Sequence, residues 1–185
     1  MIDVPALART KRRRRAKCVV ALAAIVALAA PAPALAAPAP RTPVVVRSFD
    51  HAPLYFTSAD NQRDVSIESS FPVSGDFARI TMHVRLDCPT GGCDPWDRYG
   101  TIGVVTDPGA GDTPATIIEL ARFMTPYGVG GAWTLDVTDM RPLLAGDVTL
   151  DAHIDTWVGP GSDGGSGWQL SAWFAMTPGQ PRRTA

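Results

Sequence analysis

The segment "ARITMHVRL" (Ala78–Leu86) alternates without a break, placing Ile80, Met82, Val84 and Leu86 on one side. "TLDAHIDTW" (Thr149–Trp157) does the same: Leu150, Ala152, Ile154 and Thr156 share one face, and Asp151, His153, Asp155 and Trp157 share the other. A strand turns successive side chains to opposite faces, so alternation of this length is the signature of a half-buried β-strand. Other runs rich in Val, Ile, Thr and aromatics, separated by turns such as "TDPGAGDT", extend the pattern along the chain. The expected strands are Val44–Phe49, Leu54–Phe56, Val65–Ser70, Ala78–Asp87, Tyr99–Val105, Thr116–Phe123, Trp133–Val137, Thr149–Trp157 and Trp168–Met176. The one helical hint is "DVTDMRPLLAG", where Thr138 or Asp139 can cap a single turn ending at Gly146. Many short strands and no long helix predict an all-β protein, an antiparallel jelly-roll β-sandwich of about eight or nine strands.

The first 36 residues follow a different logic. Arg9 to Lys17 carries seven positive charges, Cys18 to Ala30 is an uninterrupted apolar run, and "ALA" stands at Ala34–Ala36. That order reads as a secretory signal peptide cleaved after Ala36. The apolar run is short of the roughly 20 residues a spanning helix needs. The general secretory and twin-arginine routes both remain open. The expected organisation is a signal peptide over 1–36, a Pro/Ala linker over 37–43, one sandwich over 44–177 and a disordered tail over 178–185. Localisation is expected to be extracellular, with no membrane association once the signal is removed.

Removal of the signal changes the charge. Seven of 17 basic and one of 18 acidic residues lie within 1–36, leaving 10 and 17 and a formal charge of −7. No lysine remains. Such a chain is a poor nucleic-acid partner, because neutralising phosphates requires Lys and Arg. No phosphate-binding or dinucleotide fingerprint is present, and no cofactor is expected.

Two cysteines remain after the signal, Cys88 and Cys93, with Gly91 and Gly92 between them. In an exported protein a close pair reads as a disulfide. So small a ring stabilises the fold by only about 2 kcal/mol, and is better suited to shaping the loop that follows. That loop is "CDPWDRYG" (Cys93–Gly100), with two carboxylates, an arginine and two aromatics. Pro95 fixes its own φ and biases Asp94 towards an extended conformation. If a strand begins near Asp97, Asp97 and Tyr99 share one face, and Trp96 and Arg98 the other. A surface ion pair between Asp97 and Arg98 is the plain structural alternative to a site. Calcium at Asp94, Asp97 and Asp155 is a weaker one, since the loop lacks the regular ligand spacing. Zinc at the cysteine pair lacks accompanying ligands, so no metal is expected. His51, His83 and His153 are scattered, and Trp133, Trp168 and Trp173 suit the core or the sheet faces. Trp157 is the tryptophan expected to be exposed, beside His153 and Asp155.

"C-x4-C-D-P-W-D-R-Y" resembles the cysteine loop and following strand of the peptide-N-glycosidase F family, which hydrolyses the amide between asparagine and the first N-acetylglucosamine of an N-glycan. "RFMTPYGVG" (Arg122–Gly130), "LDVTDMRPLLAG" (Leu135–Gly146) and "DTWVGPG" (Asp155–Gly161) follow in the family's order. The resemblance runs from Ser66 to Phe174. It implies Asp97 as the catalytic aspartate and Asp155 as the assisting acid, where the family has glutamate. It also implies substrate contacts from Arg98, Trp157, Trp96 and Tyr127, and places Asp97 near Asp155 and Trp157 on an adjacent strand. Two positions depart from the pattern: Pro95 replaces an acid and Gly128 a large aromatic. The family enzyme has a second sandwich that contributes further groups, and the expectation here is the first domain with the second absent. The implied partners are an N-glycan or glycopeptide and a second β-sandwich supplied in trans. Hydrolysis by the chain alone is expected to be weak or absent, and a noncatalytic glycan- or surface-binding sandwich is the alternative.

Overall fold

The computed structural model describes residues 42–181. The proposed signal peptide, its cleavage site, most of the linker and the last four residues lie outside that range. Nine strands are present among the described residues: β1 Val44–Phe56, β2 Asn61–Gln62, β3 Asp64–Phe71, β4 Phe77–Asp87, β5 Tyr99–Asp107, β6 Thr116–Met124, β7 Gly131–Asp136, β8 Gly146–Ile154 and β9 Trp168–Pro178. They form two antiparallel sheets, ordered β2-β1-β9-β4-β7 and β3-β8-β5-β6. This is the expected sandwich.

The alternating segments lie where their pattern puts them. Ile80, Met82, Val84 and Leu86 of β4 are at most 1% exposed, and Leu150, Ala152 and Ile154 of β8 are equally buried on the facing sheet. β9 runs between β1 and β4 and adds Leu170, Ala172, Phe174 and Met176 to the same layer. Phe71 meets Phe174 edge to face at 5.0 Å, joining the two sheets. Trp168 is fully buried, Trp133 stacks on Phe123 and Trp173 on His83.

Several expected boundaries need correction. The segments expected as Val44–Phe49 and Leu54–Phe56 are one strand, β1, interrupted by register shifts between Arg47 and Ala52. His51 there has φ +51°, and its N–H donates to Ser171 Oγ on β9, which ties the bulge to the sheet. The two-residue β2 was not expected at all. β8 ends at Ile154 rather than Trp157, although burial keeps alternating through Trp157. The helical turn is 3₁₀, Thr138–Leu143, with no side-chain cap. Thr138 is diverted: its hydroxyl accepts the Ile80 N–H, while its own N–H donates to Asp136. Gly146 (φ +72°) opens β8 instead of ending the turn.

Antiparallel order sends the β1–β3, β4–β5, β6–β7 and β8–β9 connections to one end of the sandwich. They are stitched there by backbone bonds: Phe56 N–H to Val158 C=O, Asp94 N–H to Gly167 C=O, Gly128 N–H to Asp94 C=O and Ser166 N–H to Gly92 C=O.

Candidate functional site

The β4–β5 connection opens with the Cys88–Cys93 disulfide, whose Cα atoms are 4.5 Å apart. Gly91 and Gly92 take φ of +100° and +92°, which lets so short a ring close. Gly165 of the β8–β9 connection presses on the far side, where an added Cβ would lie 2.2 Å from the Cys93 carbonyl oxygen.

Asp94 follows, with no exposed surface. Its carboxylate accepts four hydrogen bonds: from Arg98 Nε (2.7 Å) and Thr156 Oγ1 (2.7 Å) at Oδ2, and from the Trp96 N–H (3.0 Å) and an Arg98 terminal nitrogen (3.3 Å) at Oδ1. Burial pushes this carboxyl up, but the bonds from Arg98, Thr156 and Trp96, with the charge of Arg98, outweigh it and hold Asp94 below its ordinary value. The Asp94 network joins the β4–β5 strap to the segment after β8.

The bond from Trp96 N–H also bends residues 94–96 into a turn. β5 begins at Tyr99, where the expected strand Tyr99–Val105 begins, so the faces drawn for a strand starting near Asp97 are corrected: Asp97 lies in the strap before it. Trp96 and Arg98 do not share a side either. Arg98 turns inward to Asp94 and is 21% exposed at its side chain, whereas Trp96 is 60% exposed. Arg98 thus pairs with Asp94 rather than Asp97, and its guanidinium is largely committed to that pair. Thr125 braces the strap, its Oγ1 accepting the Arg98 N–H (2.8 Å) and its own N–H donating to the Arg98 carbonyl (2.8 Å).

Asp97 projects from this braced arch, exposed and without an ion pair among the described residues. Tyr127, 65% exposed on the β6–β7 connection, is its neighbour. The nearby Asp97 charge raises the Tyr127 phenol above its ordinary value. The two departures from the family pattern also meet here: a Cβ on Gly128 would stand 3.7 Å from Pro95 Cα.

Asp155 and Trp157 sit just past β8. Asp155 N–H donates to the Tyr99 carbonyl (2.9 Å), continuing the β5–β8 register of Gly100 with Ile154. Asp155 is thus the cross-strand neighbour of Tyr99, two residues along the chain from Asp97. Its carboxylate accepts a bond from Arg63 Nη1 at 3.1 Å. Trp157 is 55% exposed and meets Phe56 edge to face at 5.4 Å. The candidate residues therefore form two clusters, Trp96–Asp97–Tyr127 and Asp155–Trp157, bridged from beneath by Asp94, Arg98 and Thr156.

The sequence named Asp94 only as a weak calcium candidate, not as the buried partner of Arg98, and did not point to Arg63. Asp-Pro followed by a free N–H two residues on is an Asx-turn signal that could have found Asp94. No local signal marks Arg63. No cluster of three His, Cys, Asp or Glu residues suited to a metal occurs among the described residues. A shallow cavity of about 220 Å³ is lined by Arg47, Asp50, His51, Arg85 and Trp173 on the other sheet and includes none of the candidate residues.

Residues 109–162 match the family described as Peptide-N-glycosidase F, N terminal. Over 128 residues the chain is 33% identical to Peptide-N(4)-(N-acetyl-beta-D-glucosaminyl)asparagine amidase F of Elizabethkingia miricola, a match covering 65% of this chain and 34% of that protein. The chain is similar to the N-terminal domain of peptide-N-glycosidase F. The solved structure of recombinant peptide:N-glycanase F agrees, with a TM-score of 0.62 and 28% identity over 78% of this chain and 45% of that one. The structure of PNGase F from Flavobacterium meningosepticum, called a glycosylasparaginase, gives the same values. PNGF-II shares the fold at TM-score 0.63 with 16% identity, covering 76% of this chain and 35% of its own. The chain spans about a third of the length of the curated relative it matches.

Proposed function

We propose that the chain supplies one wall of a glycoamidase site, acting on the amide between N-acetylglucosamine and asparagine in N-linked glycopeptides. The observation that carries the reading is the placement of Asp97: an exposed carboxylate on a strap braced by the disulfide, the buried Asp94–Arg98 pair and Thr125, with Trp96 and Tyr127 beside it. Amide hydrolysis needs a base to activate water and a proton for the leaving nitrogen. Asp97 is the base in this reading, and Asp155 assists by holding negative charge beside the substrate. Trp157 and Trp96 offer aromatic surface to sugar rings, Tyr127 orients Asp97, and Arg98 acts through Asp94 on the shape of the strap. Similarity to the Elizabethkingia miricola amidase supports the substrate class.

The chain covers about a third of that amidase, so a complete site requires groups from a second sandwich, in the same protein or in trans. Losing positioning and electrostatic groups removes orders of magnitude in rate. A second reading, a noncatalytic glycan-binding module, is favoured by the exposure of Trp96 and Trp157. We place the protein outside the cell, exported by the segment 1–36.

The test is glycan release from a denatured N-glycoprotein, with the chain alone and with the second sandwich of a relative added. Little release alone, rescue by the added domain and loss of rescue with Asp97→Asn are expected. Equal rescue of the Asp97→Asn variant removes Asp97 as the base. Sugar binding without release under any condition favours the second reading.

A further inference from the structure

Arg63 lies between β2 and β3, and its side chain is only 20% exposed. Its guanidinium carbon stands 4.9 Å from the Phe56 ring centre and 4.8 Å from that of Trp157. Nη1 donates to Asp155 Oδ1 at 3.1 Å and Nε to Asn61 Oδ1 at 2.8 Å. The backbone holds the base of this arrangement, since the Arg63 carbonyl accepts the Ile154 N–H at 3.0 Å. One side chain therefore touches the end of β1, the short β2 and both candidate residues beyond β8.

A guanidinium suits this place for a physical reason. It is planar and weakly hydrated, so it can lie against aromatic faces while its edge donates hydrogen bonds. A lysine ammonium could keep the Asp155 contact but could not stack against both rings. The cation over Trp157 covers one face of the indole, and the Phe56 contact fixes its tilt. Trp157 remains 55% exposed despite both contacts.

We propose that Arg63 is a positioning residue that orients Trp157 and Asp155 together, deciding which indole face is offered to a sugar and where the carboxylate stands beside it. The proposal rests on the reading that these two residues contact the glycan, but its first measurement does not. Without ligand, NMR of Arg63→Gln and Arg63→Lys should show the Trp157 indole signal displaced, with its contacts to Phe56 lost. The Asp155 side-chain carbonyl signal should move in Arg63→Gln and stay near its wild-type position in Arg63→Lys. That split separates positioning from general loosening, in which both variants would shift many signals alike. The second measurement is titration with N,N′-diacetylchitobiose. Both variants should bind at least about tenfold more weakly, and adding Trp157→Ala should cause little further loss, as expected for coupled residues. Unchanged Trp157 signals in a folded variant would overturn the proposal. So would independent, additive losses from Arg63 and Trp157. If the wild-type chain does not bind the sugar, the glycan reading fails, and the ligand-free signals still decide the role of Arg63.

Discussion

Replacing Asp94 with asparagine tests the strap beneath the candidate site. Asp94 accepts four hydrogen bonds, two on each oxygen. Asparagine keeps one oxygen and puts an NH₂ where the other stood, so two donors would face a donor. The charge opposite Arg98 is lost as well. Breaking a buried pair costs about 3–5 kcal/mol, and partial exposure of Arg98 at 21% argues for the lower end. Denaturant unfolding of Asp94→Asn should therefore show a loss of about 3 kcal/mol, which lowers the thermal midpoint by roughly 10 °C. The pH dependence carries a sign. Asp94 is held below its ordinary value when folded, so the unfolded chain binds its proton first as pH falls. The stability it contributes is complete above the unfolded value of about 3.9 and is lost as pH drops through the lower folded one. Wild-type stability should thus fall more steeply below about pH 4 than that of Asp94→Asn. A loss under about 1 kcal/mol with parallel acid profiles, against the expected cost of a broken buried pair, would show that the Asp94–Arg98 pair does not hold the strap.

One further outcome concerns Asp97 and another the segment 1–36. Asp97→Asn should lower the titration of one tyrosine, Tyr127, as followed by phenolate absorbance, because the charge that raises it is gone; superimposable curves would separate Asp97 from Tyr127. Intact-mass analysis of exported material should show a chain beginning at Ala37, and a mature form retaining Met1 would refute cleavage after Ala36.

Much of the sandwich was legible because period-2 alternation is a local property. β4 and β8 could be assigned a buried face from the identities of Ile80–Leu86 and Leu150–Ile154 alone. The β1 bulge was not legible, because the bond from His51 N–H to Ser171 depends on a strand 120 residues away. The site was half legible. The exposure of Trp157 followed from alternation, and the prominence of Asp97 from the family motif. The inward turn of Arg98 was hidden because its partner Asp94, four residues earlier, is buried only once Thr156 and Gly167 arrive from the β8–β9 connection. Arg63 stayed invisible for the same reason: its contacts with Asp155 and Trp157 join segments more than 90 residues apart.

In the proposed site, the convergent strand end meets the core of an N-glycan. The direct measurement is an NMR titration of the chain with an asparagine-linked chitobiose glycopeptide. Shifts are expected at the Trp96 and Trp157 indoles and at the Asp97, Tyr127 and Asp155 backbone amides, with the outer face of the β1–β9–β4 sheet unaffected. Shifts confined to that other sheet, or none at saturating glycopeptide, would rule out an N-glycan site at this end of the sandwich.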